Sequence, residues 1–197
     1  MWTVLRDETQ LAASWRRAEP FPHLVIDDAF ASESVAGLLA VLEEEAVDRY
    51  EGEIFRFEAS APEPTTQELR AVRDGFAAAF APVFARITGK PVTHVDMRAY
   101  AYRPGHYLLP HSDHRDGLAR ALAYAYYLPS PEPPRGGELE LFACRVDGGE
   151  IVATDSALMI EPRGNRLVVF DVSEVSLHQV REVLAGLRIS LAGWFYP

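Results

Sequence analysis

The second half of the chain contains eight short β-type runs separated by Gly- and Pro-rich turns, and this pattern restricts the fold more than any other feature. The change in character comes after Gly89-Lys90-Pro91. The predicted strands are residues 92–102, 107–111, 119–128, 138–142, 156–160, 166–170, 178–183 and 187–196. Strands of this length and spacing are typical of a barrel or a double-sheet jelly roll. Residues 129–137 and 145–155 are predicted as the longest loops, and loops at a barrel mouth commonly carry function.

The first half shows mainly helical spacing of its apolar residues. The predicted helices are residues 7–17, a helix with Ser32 as its N-cap, and a long helix from Thr65 or Thr66 to about Ile87. Short strands are predicted at residues 23–27 and 54–57, and Pro82 is expected to kink or split the long helix. We therefore predict one domain over residues 1–197, mainly β with bracing helices (α+β). Its helical support covers about residues 1–91 and its jelly-roll core about residues 92–197.

Charge and composition exclude several classes of partner. The net charge is −10, Lys90 is the single lysine and no cluster of basic residues is present, so nucleic acid is not an expected partner. No apolar run reaches the roughly 18 residues that a membrane span requires. Residues 1–10 contain no apolar core typical of a signal peptide. With the single Cys144, which we interpret as a small packed residue, these features indicate a cytoplasmic protein.

A His-x-Asp motif occurs three times, and position distinguishes the copies. His94-Val95-Asp96 lies near the start of the β region, and His114-Arg115-Asp116 lies within a polar turn. His111-Ser112-Asp113 comes at the end of an apolar strand, where the mouth of a barrel would lie. Residues two apart on a strand face the same side, so His111 and Asp113 can both point inward. Two histidines and one carboxylate occupy one face of an octahedral iron(II) and leave the other positions open.

The third ligand must come from elsewhere in the chain. The remaining candidates are His23, His94, His106 and His178. We favour His178 because Arg188 follows ten residues later, and a hairpin turning near Gly186 would place both side chains in one cavity. Arg188 and Ser190 alternate along one strand and can face the same side. Since a buried arginine without a partner is costly, an anionic ligand is the natural explanation for Arg188.

Taken together, the motifs resemble those of the iron(II)- and 2-oxoglutarate-dependent dioxygenases, and specifically the prolyl 4-hydroxylase-like branch. The resemblance runs from about residue 92 to 194, with a further similarity in Phe21-Pro22-His23-Leu24-Val25-Ile26-Asp27-Asp28. The residues that carry it are Tyr102-Arg103-Pro104-Gly105, Pro110-His111-Ser112-Asp113, Tyr126-Tyr127-Leu128, Gly136-Gly137-Glu138-Leu139, Pro162, Asn165-Arg166-Leu167-Val168-Val169-Phe170, His178 and Arg188-Ile189-Ser190.

The resemblance implies a double-stranded β-helix, a cupin-like jelly roll, and a set of site residues. His111, Asp113 and His178 would bind Fe(II), and Arg188 would pair with the C5 carboxylate of 2-oxoglutarate. Tyr127 would reach the same carboxylate or its surroundings, Tyr102 would line the pocket near the metal, and Ser190 would contact the co-substrate. Tyr124 and Tyr126 compete with Tyr127 for the inward face. Some relatives carry lysine at the position of Arg188.

The implied reaction is hydroxylation of an unactivated C–H bond by O2, coupled to decarboxylation of 2-oxoglutarate to succinate and CO2, with L-ascorbate as a candidate reductant. A carboxylate at position 113 favours hydroxylation over halogenation. The substrate is expected to be a prolyl or other residue of a peptide or protein, with a free amino acid or small natural product as the alternative.

A cupin-type metal enzyme and a non-catalytic binding module are the competing classes. Residues 51–60 and 145–155 are predicted substrate walls. Arg115 and Arg120 are interpreted as solvated surface residues, with contact to an acidic substrate as the alternative.

Overall fold

A computed structural model describes residues 7–197. Residues 1–6 belong to the predicted domain and to the segment that we compared with a signal peptide, and they lie outside the described residues. Three helices and fourteen strands follow one another in this part of the chain. The helices are α1 (Glu8–Arg17), α2 (Ser32–Glu44) and α3 (Gln67–Thr88). The strands are β1 (His23–Ile26), β2 (Val47–Glu51), β3 (Phe55–Ser60), β4 (His94–Val95), β5 (Arg98–Tyr102), β6 (Tyr107–His111), β7 (Leu122–Leu128), β8 (Arg135–Gly136), β9 (Leu139–Asp147), β10 (Glu150–Ile160), β11 (Arg166–Asp171), β12 (His178–Val180), β13 (Val183–Ala185) and β14 (Arg188–Tyr196).

Twelve of these strands form one strongly curled antiparallel sheet, the double-stranded β-helix predicted from the sequence. Its order is β1-β11-β7-β14-β5-β3-β6-β12-β9-β10, with β2 added beside β3 and β4 beside β14. Strand β3 joins the two halves of the curl, since it pairs with β5 through Glu58 and Ala59 and with β6 through Phe55 and Arg56. The curl places β14 and β12 around one interior cavity.

The helices cover one outer face of this sheet. Strand β7 divides its side chains between two cores: Tyr124 and Tyr126 pack toward the helices, whereas Ala123, Ala125 and Tyr127 face the inside of the curl. This alternation follows from the two-residue period of a strand. It also settles which tyrosine faces inward, which the sequence alone left open. None of the helices in residues 7–197 is long and apolar enough to cross a bilayer.

Helix α3 supplies most of the helical packing. Its buried phenylalanines lie four residues apart, so they share one face, and Phe76 stacks on Tyr124 with ring centroids 4.8 Å apart. Pro82 lies inside the helix without splitting it, contrary to one of the two expected outcomes. Helix α2 has Ala31 rather than Ser32 at its N-cap, and no side chain caps its first turn.

The start of α3 is fixed by a buried carboxylate. Glu45, which is 5% exposed, accepts hydrogen bonds from the backbone N–H and the hydroxyl of both Thr65 and Thr66 at 2.6–3.0 Å. Thr66 in turn accepts from Leu69 N–H as the N-cap of the helix. Burial alone would raise the pKa of Glu45, but the hydrogen bonds from the two threonines outweigh it and hold that pKa below its ordinary value.

Replacing Glu45 is therefore expected to destabilise the fold in a pH-dependent way. We expect Glu45→Ala to lower the free energy of unfolding by about 3 kcal/mol, because it leaves several buried donors without an acceptor. A carboxyl with a depressed folded pKa stabilises above its unfolded pKa, and this contribution disappears as the pH falls through the folded value. Urea unfolding at about pH 7 and about pH 3 should show a larger difference at the higher pH. Glu45→Gln, which keeps the side-chain length and one acceptor, should lower the free energy of unfolding by less. Equal losses of unfolding free energy at both pH values would contradict the proposed role of the Glu45 carboxylate.

The longest differences from the sequence predictions lie in two exposed segments. Residues 145–155, expected to be a loop, continue β9 and β10 as a long hairpin that turns at Gly148 and Gly149, both with positive φ. Strand β10 lies at the edge of the sheet, and most of its side chains are exposed, so it lacks the alternation that marks a half-buried strand. Strand β2 was not predicted for the same reason, since Val47–Glu51 is largely exposed.

Candidate active site

Strands β6 and β12 bring the predicted metal ligands together. His178 lies directly opposite His111 in the antiparallel register, and Asp113 follows just beyond the end of β6. The carboxylate oxygens of Asp113 lie 3.7 Å from His111 Nε2 and 3.5 Å from His178 Nε2. One ligand atom from each of the three side chains lies within 4.8 Å of the others. Among the described residues, this is the one cluster of three His, Cys, Asp or Glu side chains arranged to hold a metal.

Both histidines present the correct nitrogen to this cluster. His111 Nδ1 lies 2.9 Å from the Leu109 carbonyl oxygen, and His178 Nδ1 lies 3.0 Å from the Ser176 carbonyl oxygen. Because a carbonyl only accepts, each Nδ1 carries the proton and each Nε2 keeps its lone pair for a ligand. Burial, together with the neighbouring His178, lowers the pKa of His111 to about 4. A neutral imidazole is the form that binds a metal, so the donor set fits Fe(II).

A hydrogen bond between loops holds the two ligand segments together. Ser112 Oγ donates to the Ser173 carbonyl oxygen at 2.7 Å, which ties the His111-Ser112-Asp113 segment to the loop before His178. The ring of Phe170 packs against His178, with centroids 4.7 Å apart. The ligand side chains are therefore positioned by strand register, backbone carbonyls and packing.

The other two His-x-Asp motifs form no such cluster. His94 is exposed and stacks on Tyr196, while Asp96 turns away and accepts from the Trp194 backbone N–H at 2.6 Å and the Tyr196 hydroxyl at 2.8 Å. Asp116 is fully exposed in the turn that follows His114. The preference for His111-Ser112-Asp113 thus agrees with the geometry.

Arg188 points into the same cavity and is buried without a counter-charge. It is 4% exposed, and no carboxylate of residues 7–197 forms an ion pair with it. Its guanidinium lies 4.7 Å from the centroid of the Tyr102 ring and 4.8 Å from that of Tyr127. It also donates to Ser190 Oγ and Tyr127 Oη, both at 3.4 Å, while its Nε has no partner. A buried cation held only by neutral groups is a natural site for an anionic ligand.

The remaining predicted residues surround Arg188 in different ways. Tyr102 lies opposite Arg188 in the register of β5 and β14 and lines the cavity. Ser190 lies two residues farther along β14 and also lines it. Tyr127 is fully buried behind Arg188, where it touches the guanidinium rather than the cavity wall. Burial raises the pKa of Tyr102, so its hydroxyl stays protonated and can donate.

The cavity has a volume of about 490 Å³ and contains residues that sequence reasoning did not place in the site. Arg120, interpreted as a surface residue, instead lies with its guanidinium 3.5 Å from the centroid of the Trp194 ring, inside the cavity. Arg98 lines it as well. The alternation of β14 places Trp194 on the same face as Arg188, which is a signal that the sequence contains. The position of Arg120 depends on the path of the loop before β7, and no local pattern reports it.

Comparison with known proteins identifies the family. The model of the 2OG-Fe(II) oxygenase superfamily matches residues 97–196, just over half of the chain. The chain belongs to the 2OG-Fe(II) oxygenase superfamily. The matched segment contains all three clustered ligands and Arg188.

Relatives of this oxygenase include several prolyl hydroxylases. It is 32% identical over 189 residues to the prolyl 3-hydroxylase OGFOD1 of Xenopus laevis, a match that covers 90% of this chain and 35% of that protein. The chain thus spans about a third of the length of the curated relatives it matches.

Among solved structures, it is similar in fold to a Pseudomonas putida prolyl-4-hydroxylase, with a TM-score of 0.69, 22% identity, and coverage of 94% of this chain and 98% of the other. A prolyl hydroxylase from Trichoplax adhaerens, in complex with a hypoxia inducible factor peptide fragment, gives a TM-score of 0.68 at 15% identity, with coverage of 96% and 90%.

Proposed function

We propose that this protein is an Fe(II)- and 2-oxoglutarate-dependent dioxygenase that hydroxylates a prolyl residue of a peptide or protein. The observation that carries the proposal is the meeting of three metal-binding side chains and a buried, unpaired Arg188 in one cavity of a superfamily member. A metal site alone is equally compatible with a cupin-type enzyme. The second, cationic site in the same cavity favours a chemistry that needs a carboxylate co-substrate.

The proposed roles follow from the contacts of each side chain. His111, Asp113 and His178 would hold the iron, and Arg188 would bind the C5 carboxylate of 2-oxoglutarate. Ser190 and Tyr127 orient the guanidinium of Arg188, and Tyr102 forms the wall opposite. Bound iron would supply the activation of O2, with one oxygen atom passing to succinate as CO2 leaves and the other to the substrate C–H bond as a hydroxyl group.

The chain contributes orientation and a largely apolar lining to this reaction. Phe170, Leu139 and Val180 line the cavity near the two histidines, and all three are buried. Such a lining would limit the access of water to the proposed metal site and would strengthen the contacts that Arg188 makes. The protonated Nδ1 of each histidine stays hydrogen-bonded to a backbone carbonyl, so neither ring is free to rotate away from the metal.

We also propose a reductant and a cellular location for this reaction. Ascorbate would serve as reductant, and the cytoplasm, where an unpaired Cys144 remains reduced, would be the location. We also propose that the helical support (about 1–91) and the jelly-roll core (about 92–197) work as one catalytic domain. The continuous apolar cluster formed by the helices and strands β5, β7, β11 and β14 supports this.

The name of the similar Xenopus laevis protein supports proline as the oxidised residue and carbon 3 as its position. The test uses purified protein with iron(II), ascorbate, 2-oxoglutarate and a panel of peptides, amino acids and metabolites. We expect succinate release matched by a gain of one oxygen atom in a prolyl peptide, with the hydroxyproline isomer identified after hydrolysis. Removal of the metal with a chelator should abolish both products, and added iron(II) should restore them. Absence of 2-oxoglutarate binding in a protein that still binds metal would favour the cupin-type alternative.

The close approach of Gly137 to Arg188 gives a further prediction. A Cβ at Gly137 would lie 3.1 Å from Arg188 Cδ and 2.9 Å from Val183 Cγ2. We expect Gly137→Ala to displace the guanidinium and weaken 2-oxoglutarate binding by about tenfold, measured by calorimetric titration. Gly89→Ala is the matched control, since Gly89 has nearly the same φ (74° against 75°) but no atom near its would-be Cβ. Equal effects of the two substitutions on binding would show that backbone strain, not the contact with Arg188, is responsible.

A further inference from the structure

The cavity holds more positive charge than the proposed co-substrate requires. Its lining includes four arginines, Arg98, Arg115, Arg120 and Arg188, but only two carboxylates, Asp113 and Asp116. Asp113 is a proposed iron ligand, and Arg115 and Asp116 are both exposed in one turn at the rim, which leaves Arg98, Arg120 and Arg188 as the arginines deeper in the cavity. In a chain of net charge −10, this concentration of arginines marks the cavity as a place for anions.

Strand register places Arg98 at a distance from Arg188, the residue proposed to bind 2-oxoglutarate. Arg188 lies opposite Tyr102, whereas Arg98 lies opposite Ala192, four residues farther along β14. At about 3.4 Å per residue, this places the two backbone positions roughly 14 Å apart along the strands. The four C–C bonds of 2-oxoglutarate span at most about 6 Å, which is less than half of this backbone spacing, so we assign Arg98 to a different anion from the one that Arg188 would bind.

Neutral groups hold Arg98 in place. Its Nε and Nη2 both donate to the Ser60 carbonyl oxygen, and its guanidinium lies 4.8 Å from the centroid of the Tyr50 ring. No carboxylate of the described chain forms an ion pair with it. Arg98 is half-buried, and these contacts fix the direction of the side chain without supplying a counter-charge.

Arg120 and Trp194 add two unsatisfied donors on the same side of the cavity. Arg120 Nη1 donates to the Asp113 backbone carbonyl at 3.2 Å, but Arg120 Nε and Trp194 Nε1 are buried without a partner. Asp96 lies behind them with its oxygens occupied by Trp194 N–H and the Tyr196 hydroxyl. Burial raises the pKa of Asp96, while the two hydrogen bonds and the nearby Arg120 act in the opposite direction. Buried donors of this kind normally have acceptors, so a ligand oxygen is the expected partner.

We propose that the substrate presents a carboxylate next to the oxidised residue, and that Arg98 and Arg120 bind it while Trp194 Nε1 donates to it. Two sources carry this chemistry: the α-carboxylate of a free amino acid, or an Asp or Glu side chain beside the target residue of a peptide. The inference rests on the proposed function, because it names the substrate class of that same site.

The test compares matched acids and amides by the succinate release that each stimulates. The probes are L-proline against L-prolinamide, and a capped peptide with proline between two glutamates against its glutamine counterpart. We expect the acid of at least one pair to stimulate turnover about tenfold more than its amide, and the pair that responds identifies the source. Amides that stimulate as well as acids would overturn the proposal. So would the failure of every probe with protein that still binds 2-oxoglutarate, whereas loss of 2-oxoglutarate binding itself would overturn the proposed function.

Variants assign the preference to the arginines. Arg98→Gln and Arg120→Gln should each raise the KM for the acid probe by about tenfold and bring the acid-to-amide ratio toward one. Arg98→Lys keeps the charge and should retain most of the preference for the acid over the amide. This variant distinguishes the loss of a charge from a folding defect in Arg98→Gln. Arg103→Gln is the matched control, since Arg103 is exposed, pairs with Glu58 and lies outside the cavity. A preference that survives both glutamine variants would place the anion elsewhere.

Discussion

His178→Ala is expected to abolish substrate-coupled succinate release and to lower the affinity for iron(II) by at least about a hundredfold. Loss of a hydrogen bond to a metal ligand already costs about 10- to 100-fold, so loss of a ligand itself should cost at least as much. His178 is one of only three donors in the cluster, and its ring is fixed by the Ser176 carbonyl and by Phe170. Metal titration and product analysis by mass spectrometry measure the two effects, and His111→Ala should behave in the same way.

The chain offers its own control for this experiment. His94 belongs to another His-x-Asp motif, is exposed and lies outside the cluster, so His94→Ala should leave metal affinity and turnover unchanged. Circular dichroism verifies that each variant is folded. Full metal occupancy and turnover in His178→Ala would refute the ligand assignment.

The second large effect is expected at Arg188. We expect Arg188→Met to weaken 2-oxoglutarate binding by about a hundredfold or more, because the guanidinium is the buried cation proposed to meet its carboxylate. The same substitution should leave the ligand-free protein at least as stable as before, and more stable by about 1 kcal/mol if the apolar side chain packs well. The two opposite signs separate a binding role from a structural one.

Thermal unfolding with and without 2-oxoglutarate measures both quantities. The wild type should gain stability when the co-substrate is added, and Arg188→Met should not. Arg188→Lys keeps the charge without the planar fork and should give an intermediate result. A marked loss of stability in ligand-free Arg188→Met, with the co-substrate effect retained, would show that Arg188 serves the fold rather than the ligand.

The interior of the fold was largely predictable from sequence because buried strands and helices have strong periodicity. Helix α3 is an example: its buried phenylalanines recur every four residues, and Thr66 caps its start as one of the two predicted threonines. Helix packing also explains why Pro82 does not split it, since buried residues on both sides of Pro82 pack against the sheet. Local propensity predicts an interruption there, and tertiary contacts outweigh it.

The edge of the sheet was less predictable. The hairpin of β9 and β10 is exposed on both sides over much of its length, so its sequence carries little alternation to recognise. Residues 145–155 were predicted as a loop because they are rich in Asp and Gly, and such a composition without flanking periodicity does not reveal a hairpin. The proposal that this segment forms a wall of the substrate site finds no support among the residues that line the cavity.

The candidate site divides in a similar way. His111, Asp113, His178 and Arg188 can be recognised from the sequence alone, because their spacing and order along the chain are characteristic. Arg98 and Arg120 are single arginines in ordinary surroundings, and only the curl of the sheet shows that both face the same cavity. Sequence patterns report local faces of strands, whereas shared cavities depend on which strands the curl brings together.

Strand β3 connects two halves of the sheet, each of which positions one part of the candidate site. The half of the sheet that contains β5 and β14 positions Arg188, while the half that contains β6 and β12 positions His111 and His178. One six-residue strand, Phe55–Ser60, connects these halves through two pairs of residues on each side. If the protein has the proposed activity, we expect the number of succinate molecules formed per hydroxylated product to depend on the alignment of the two halves, and therefore on a strand that contributes no ligand to either group.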